Sequence, residues 1–200
     1  MADFYDPHAE VIRRQHKLPH WQQGDVWIFL TYRLADSLPE PMLARWRDER
    51  ERWIQHHPKP WDEATEEAYH ERFSQCIDRW LDQGHGSCLL RNPENARIVA
   101  DAFAYFDGDR YQLASYVVMP NHAHVLFRIL GAHQLPDLVH TWKRFTAREI
   151  NRREGRQGAL WQPDYWDRLI RSRRHFDWVQ RYIQSNPAKL PAGSFRLWTA

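Results

Sequence analysis

Residues 112–129, QLASYVVMPNHAHVLFRI, read as two strands folded back on one another. Gln112–Met119 and His122–Ile129 are rich in β-branched and aromatic residues, and Pro120-Asn121 between them is a tight turn. Side chains alternate faces along a strand, so His122 and His124 share one face while Ala123, Val125 and Phe127 point into the core. Upstream, Val26–Arg33 (VWIFLTYR) is hydrophobic almost without a break, the pattern of a central strand buried on both faces. Asn92-Pro93 starts a helix with an amide cap and a proline in the first turn. Ile98, Ala102 and Tyr105, with Val99, Phe103 and Phe106, carry its apolar face to Phe106, and Asp107-Gly108-Asp109 stops it. Downstream, Pro136–Arg153 is an amphipathic helix with Leu138, Trp142, Phe145 and Ile150 on its apolar side. Leu160–Ser172 reads as extended, and His175–Asn186 as a final helix stopped by Pro187. Strand, helix, strand, strand, helix, strand predicts an α+β fold: a ferredoxin-like split βαβ sheet with helices on one face and an extra C-terminal helix.

The rest of the chain is placed around that frame. Residues 1–23 are polar and read as an N-terminal arm. Residues 40–82 are dense in Glu, Arg and Trp and read as two helices, 40–55 and 62–82, inserted near the N-terminus of one domain spanning 1–200. Trp46, Trp53, Trp61 and Trp80 are expected to anchor the insertion, and Ser87–Leu90 to follow it as a short extended piece.

Composition narrows the class. The 200 residues are 42% hydrophobic and include 11 Trp, so a core can be buried and a disordered chain is excluded. The longest apolar runs are about five residues, against the roughly 20 needed to span a bilayer. With no apolar leader in MADFYDPHAE and only Cys76 and Cys88, a cytoplasmic protein without a membrane segment is expected. Charge is unevenly divided. Residues 141–200 hold 13 Lys and Arg against 5 Asp and Glu, whereas residues 1–140 hold 15 against 21. A cationic C-terminal third suits a polyanionic partner; it suits a solvated helix face equally well.

The alternate histidines are the sharpest chemical feature. Two imidazoles on one face of a strand can bind one divalent ion, although a bare pair is more often two surface or hydrogen-bonded histidines. A third ligand is available on the final helix. Tyr182 and Asn186 lie one turn apart on the same face, with Trp178 a turn earlier. An amide oxygen suits magnesium or manganese, and the phenol would stand beside the ion. Such a set can activate a phosphodiester for attack by tyrosine, conserving bond energy in a covalent ester. Packing alone would equally account for Tyr182, and the helix end for Asn186.

The segments VVMPNHAHVLF, GALWQPDYWDRLI and WVQRYIQSNPAKL, with the lead-in KLPHWQQGDVWIFLTYRLADSLP, resemble the REP-associated tyrosine transposases, a branch of the HUH-type single-tyrosine transposases. The combination of MPNHxH with a downstream YIxxNP is more specific than either half. The resemblance implies a metal-dependent single-stranded DNA endonuclease and strand transferase, with Mg2+ or Mn2+ held by His122, His124 and Asn186. Tyr182 would be the nucleophile, forming a 5′-phosphotyrosine and releasing a 3′-hydroxyl. The implied partner is single-stranded or hairpin DNA, with a monomer favoured over a dimer. Many relatives carry Gln where this chain has Asn186. On that reading Lys143, Arg144, Arg148, Arg168, Arg171, Arg173 and Arg174 line a DNA path and Trp161 and Trp166 stack unpaired bases. Arg13, Arg14 and Lys17 reach a hairpin stem from the arm.

Three other readings compete. A histidine-triad hydrolase needs a third alternate histidine, where this chain has Leu126. A non-catalytic binder of DNA or RNA hairpins shares the topology but needs no metal. A relaxase or replication initiator of the same HUH superfamily shares the chemistry; the single YIxxNP tyrosine argues for the transposase branch.

Overall fold

The computed structural model describes residues 3–15, 19–58 and 61–200. In chain order its strands and helices are β1 (Ile12–Gln15), β2 (Pro19–Gln22), β3 (Trp27–Arg33), α1 (Glu40–His56), α2 (Glu63–Tyr69), α3 (Gln75–Asp82), α4 (Pro93–Ala104), β4 (Tyr111–Val118), β5 (His122–Ile129), α5 (Leu135–Arg153), β6 (Trp166–Leu169), α6 (Arg173–Ser185) and β7 (Arg196–Thr199). Residues 1–35 with 89–200 make one compact unit and residues 36–88 another.

In the larger unit the expected alternation holds. The antiparallel sheet runs β6-β3-β5-β4-β7, so the two most continuously apolar strands, β3 and β5, lie inside it. Ile28, Leu30, Tyr32, Ala123, Val125 and Phe127 pack on one face with Val99 and Phe103 of α4 and Leu138, Trp142 and Ile150 of α5. The other face belongs to α6. Its stripe Phe176, Val179 and Ile183 packs with Ala114, Val117, Met119 and Leu126. Burying each of those three side chains is worth roughly 1.5–3 kcal/mol. The exposed Arg173–Asp177 ion pair on the same helix is worth at most roughly 0.5 kcal/mol. The apolar stripe therefore sets how α6 sits.

Several boundaries differ from those expected, each for a local reason. Ser172 caps α6 by accepting from the His175 amide, which starts the helix at Arg173. Asn186 leaves the α-helix and opens a short 3-10 turn over Asn186–Lys189. Leu160–Ser172 is not one strand. Trp161 makes a single bridge to Leu34, Pro163 has no amide proton to give a ladder, and only Trp166–Leu169 pairs with β3. Leu89–Arg91 is a 3-10 turn where an extended piece was expected.

Two elements carried no readable pattern. Strand β7 pairs with β4, but three of its four residues are exposed and no apolar run announces it. Residues 12–15 and 19–22 form an antiparallel ribbon within the expected arm. Its second strand packs Trp21 against the core and is tied down further by polar bonds. His20 bonds both Asp164 (2.9 Å) and Asp167, and Gln22 bonds the His133 carbonyl and the Leu135 amide.

The smaller unit is helical. Its second expected helix runs as α2, a π-helical turn over His70–Ser74, and α3. Its aromatic residues pack on one another: Trp46 Nε1 donates to the Phe73 carbonyl at 3.1 Å, and Trp53 stacks on His57 and meets Trp61, Tyr69 and Phe73. Among the described residues, no helix is long and apolar enough to cross a membrane.

Candidate active site

Antiparallel register determines what surrounds the histidines. Directly opposed residues project to the same face, so His124 lies between Thr31 of β3 and Val117 of β4, and His122 lies opposite Arg33. All of these face α6. Both imidazoles are buried, and their Nε2 atoms are 3.1 Å apart. Each Nδ1 has its own partner: Asn121 Oδ1 at 2.8 Å for His122, and Thr31 Oγ1 at 2.7 Å for His124.

Those partners decide the protonation states. An amide oxygen only accepts, so His122 carries its proton on Nδ1 and presents a lone pair at Nε2. Thr31 can donate or accept. In one tautomer it donates to Nδ1 of His124, whose Nε2 proton then bridges to His122. In the other it accepts from Nδ1, and both Nε2 lone pairs face the same point. Burial pushes His122 down to about 3, and burial together with the neighbouring His122 pushes His124 well below its ordinary value. Both rings are neutral, the form that ligates metals.

Helix α6 brings Tyr182 onto this pair. Its hydroxyl lies 3.5 Å from His124 Nε2. The ring meets Phe29 edge-on at 5.9 Å and Trp178 nearly parallel at 5.8 Å, while Phe29 also stacks on His124. One turn beyond Tyr182, Asn186 has its Oδ1 buried with no hydrogen-bond partner. The two neutral imidazole nitrogens suit a divalent cation, and the unsatisfied Asn186 oxygen is a further donor of the type such an ion takes.

The remaining sequence candidates separate into groups. Trp161 is only 5% exposed; its Nε1 donates to Thr146 Oγ1 and its ring packs on Tyr32, so it is a core side chain that cannot stack an unpaired base. Lys143 is half-buried. Its Nζ donates to the carbonyls of Pro163 and Asp164, and burial pushes it down to about 8. That ammonium fastens the segment before β6. Arg144 and Arg148 are exposed on α5, the latter paired with Glu149 and 5.8 Å from the Phe145 ring. Arg168 and Trp166 lie on the histidine face of β6, half-buried, with the Arg33 guanidinium over Trp166. Arg171, Arg173 and Arg174 are exposed at the start of α6, Arg171 near the Tyr5 ring and Arg173 paired with Asp177. Arg13 and Arg14 lie on β1, but their side chains, and Lys17 altogether, fall outside the described residues.

Sequence reasoning missed Thr31, Asn121, Phe29 and Arg33. Asn121 could have been found as the residue next to His122. Thr31, Phe29 and Arg33 belong to a strand 93 residues away from His124 in the Thr31 case, and no local pattern pairs them.

The IS200-like transposase family model matches residues 94–186, just under half of the chain. Among solved structures, the chain is similar to a REP-associated tyrosine transposase bound to a REP hairpin, at 14% identity and a TM-score of 0.48, covering 88% of this chain and 74% of that one. It is also similar to a protein from Deinococcus radiodurans R1 assigned as a transposase, at 17% identity and a TM-score of 0.33, covering 80% of this chain and 90% of that one. No curated protein matches the chain.

Proposed function

We propose, from the match of residues 94–186 to the IS200-like transposase family model, that the protein is a metal-dependent endonuclease and strand transferase for single-stranded DNA bearing hairpins. The observation that carries the reading is the meeting of a tyrosine hydroxyl with two buried, neutral histidines whose Nε2 atoms face each other.

His122, His124 and Asn186 would hold Mg2+ or Mn2+. When bound, such an ion supplies Lewis acidity toward a phosphate oxygen. Thr31 and Asn121 fix the two imidazoles, and Phe29 and Trp178 hold the phenol ring. Tyr182 Oη attacks the phosphorus as its proton leaves to water. The bond from phosphorus to the 3′ oxygen breaks, that oxygen takes up a proton, and the 5′-phosphate remains on Tyr182. In the reverse direction an incoming 3′-hydroxyl displaces the phenolic oxygen and rejoins the strand. One phosphoester is exchanged for another throughout, so no external energy source is required.

Arg144, Arg148, Arg168, Arg171, Arg173 and Arg174 supply cationic contacts to the DNA backbone in this reading. The test is a denaturing gel of the protein mixed with single-stranded hairpin DNA from beside its own gene, with Mg2+ or Mn2+. A slow protein–DNA adduct is expected, lost with EDTA and in Tyr182→Phe. Hairpin binding without adduct or cleavage under both ions would instead identify a non-catalytic hairpin binder.

A further inference from the structure

Trp178 is 47% exposed, a large apolar surface left open on a helix that buries Phe176, Val179 and Ile183. One side of the indole is occupied. It lies parallel to the Tyr182 ring, with centroids 5.8 Å apart and planes 9° apart, the geometry of an offset stack. His175 borders it at 6.4 Å. The remaining indole surface has no aromatic partner among the described residues.

Its surroundings specify what could cover it. Arg174, Trp178 and Tyr182 follow one another at four-residue intervals, so they form one stripe along α6 with steps of about 6 Å. Steps of that size are of the order of one nucleotide in an extended single strand. Arg174 is exposed one turn before the indole, and Arg181 is exposed one turn after it. Cations that track a phosphate backbone, interleaved with an open aromatic face, form the usual surface for unpaired nucleic acid. A protein partner covering the indole would also have to cover the charges of Arg174 and Arg181.

We infer that Trp178 is the stacking platform for an unpaired nucleobase adjoining the phosphate that Tyr182 attacks. The inference rests on the reading of Tyr182 as nucleophile. The indole links two tasks: its inner face holds the phenol ring, and its outer face fixes the nucleotide next to the reacting phosphate. Because every base has a π face, this contact positions the strand without reading its sequence. Sequence selection is left to other contacts.

The test is a binding experiment on the full chain. The probe is a fluorescent hairpin oligonucleotide with single-stranded flanks, taken from DNA beside the gene, in which each unpaired nucleotide is replaced in turn by an abasic site. With the wild-type protein, one flank position should weaken binding by about 5- to 100-fold when its base is removed. Trp178→Ala should weaken binding of the intact probe by a similar factor and become insensitive to the abasic site at that same position. Trp178→Phe should keep most of both effects. A Trp178→Ala protein that binds normally, or that remains sensitive to every abasic position, overturns the inference. Cleavage by Tyr182→Phe is scored separately. If the base coupling is seen while Tyr182→Phe still cuts, the platform stands and the nucleophile is another residue. If the coupling is missing while Tyr182→Phe is inert, the nucleophile stands and the platform does not.

Discussion

The phenolic oxygen of Tyr182 lies 3.5 Å from Nε2 of His124, although the two residues are 58 positions apart. The contact depends on how α6 is seated. Phe176, Val179 and Ile183 fill the histidine face of the sheet and fix both the rotation and the height of the helix. A slip of one helical turn would move the phenol by about 5.4 Å and break the contact. The packing that stabilises α6 is thus also what aligns the Tyr182 phenol with His124.

Thr31→Val keeps the volume of the side chain and removes the hydroxyl that bonds His124 Nδ1 at 2.7 Å. Outer partners of metal-binding histidines commonly set affinity by 10- to 100-fold. Calorimetric titration with Mn2+ should show a loss of about that size, with the far-ultraviolet dichroism unchanged. An unaltered affinity would remove Thr31 from the site.

Asn186 separates stability from ion binding. Its Oδ1 is buried without a partner, a situation that costs about 1–3 kcal/mol when no ion satisfies the atom. Asn186→Leu should therefore leave the metal-free protein as stable as the wild type, or somewhat more stable, in EDTA. Added Mn2+ should raise the melting temperature of the wild type and leave that of the variant unmoved. An equal rise in both proteins would exclude Asn186 as a ligand.

The legibility of the chain followed the source of each element's stability. Strands β3 and β5 and helices α4 and α5 were visible in the sequence because each buries a continuous or periodic apolar face. The spacing of His122 and His124 suggested one shared face, and the contact of Tyr182 with His124 brings the final helix to it. Thr31, Phe29 and Arg33 were not visible, since only the antiparallel pairing of β3 with β5 brings them to the histidines. The β1–β2 ribbon was hidden for another reason. His20 and Gln22 hold it through side-chain hydrogen bonds to distant segments, and such bonds leave no periodic trace. Trp161 shows the opposite error: a tryptophan beside basic residues resembles a stacking residue until its indole is found donating to Thr146 inside the core.

Gly86 should tolerate no side chain. Its φ is +84°, and a Cβ there would stand 2.4 Å from the Asp36 carbonyl oxygen, both within the 36–88 unit. The Asp36 carboxylate also accepts from the Ser87 amide at 2.8 Å, which holds that side chain beside the same glycine. Left-handed backbone at a non-glycine residue alone costs about 1–3 kcal/mol, and the clash adds to it. Gly86→Ala should lower the urea midpoint of unfolding markedly, whereas Gly108→Ala, whose Cβ meets nothing within 4 Å, should cost only the conformational part.

His20 should make stability depend on pH at the alkaline side of neutrality. Burial works against its charged form, but hydrogen bonds and attraction from Asp164 and Asp167 outweigh burial and raise it to about 9. In the unfolded chain the same imidazole titrates near 6.5. A group raised on folding gives stability that is complete below its unfolded value and is lost as pH rises through its folded one. Lys143 acts in the opposite direction but only above about 8, where burial has placed it. The clean window is therefore pH 6.5 to 8. Urea unfolding across it should show stability falling with pH, toward a total loss of about 2 kcal/mol by pH 9. His20→Gln should be less stable at pH 6.5, because the buried Asp167 and the partly exposed Asp164 lose their cation, and its stability should be nearly flat through the same window. A wild-type profile as flat as that of the variant would mean that His20 is neutral in the folded protein, and that the N-terminal ribbon is held without an ion pair.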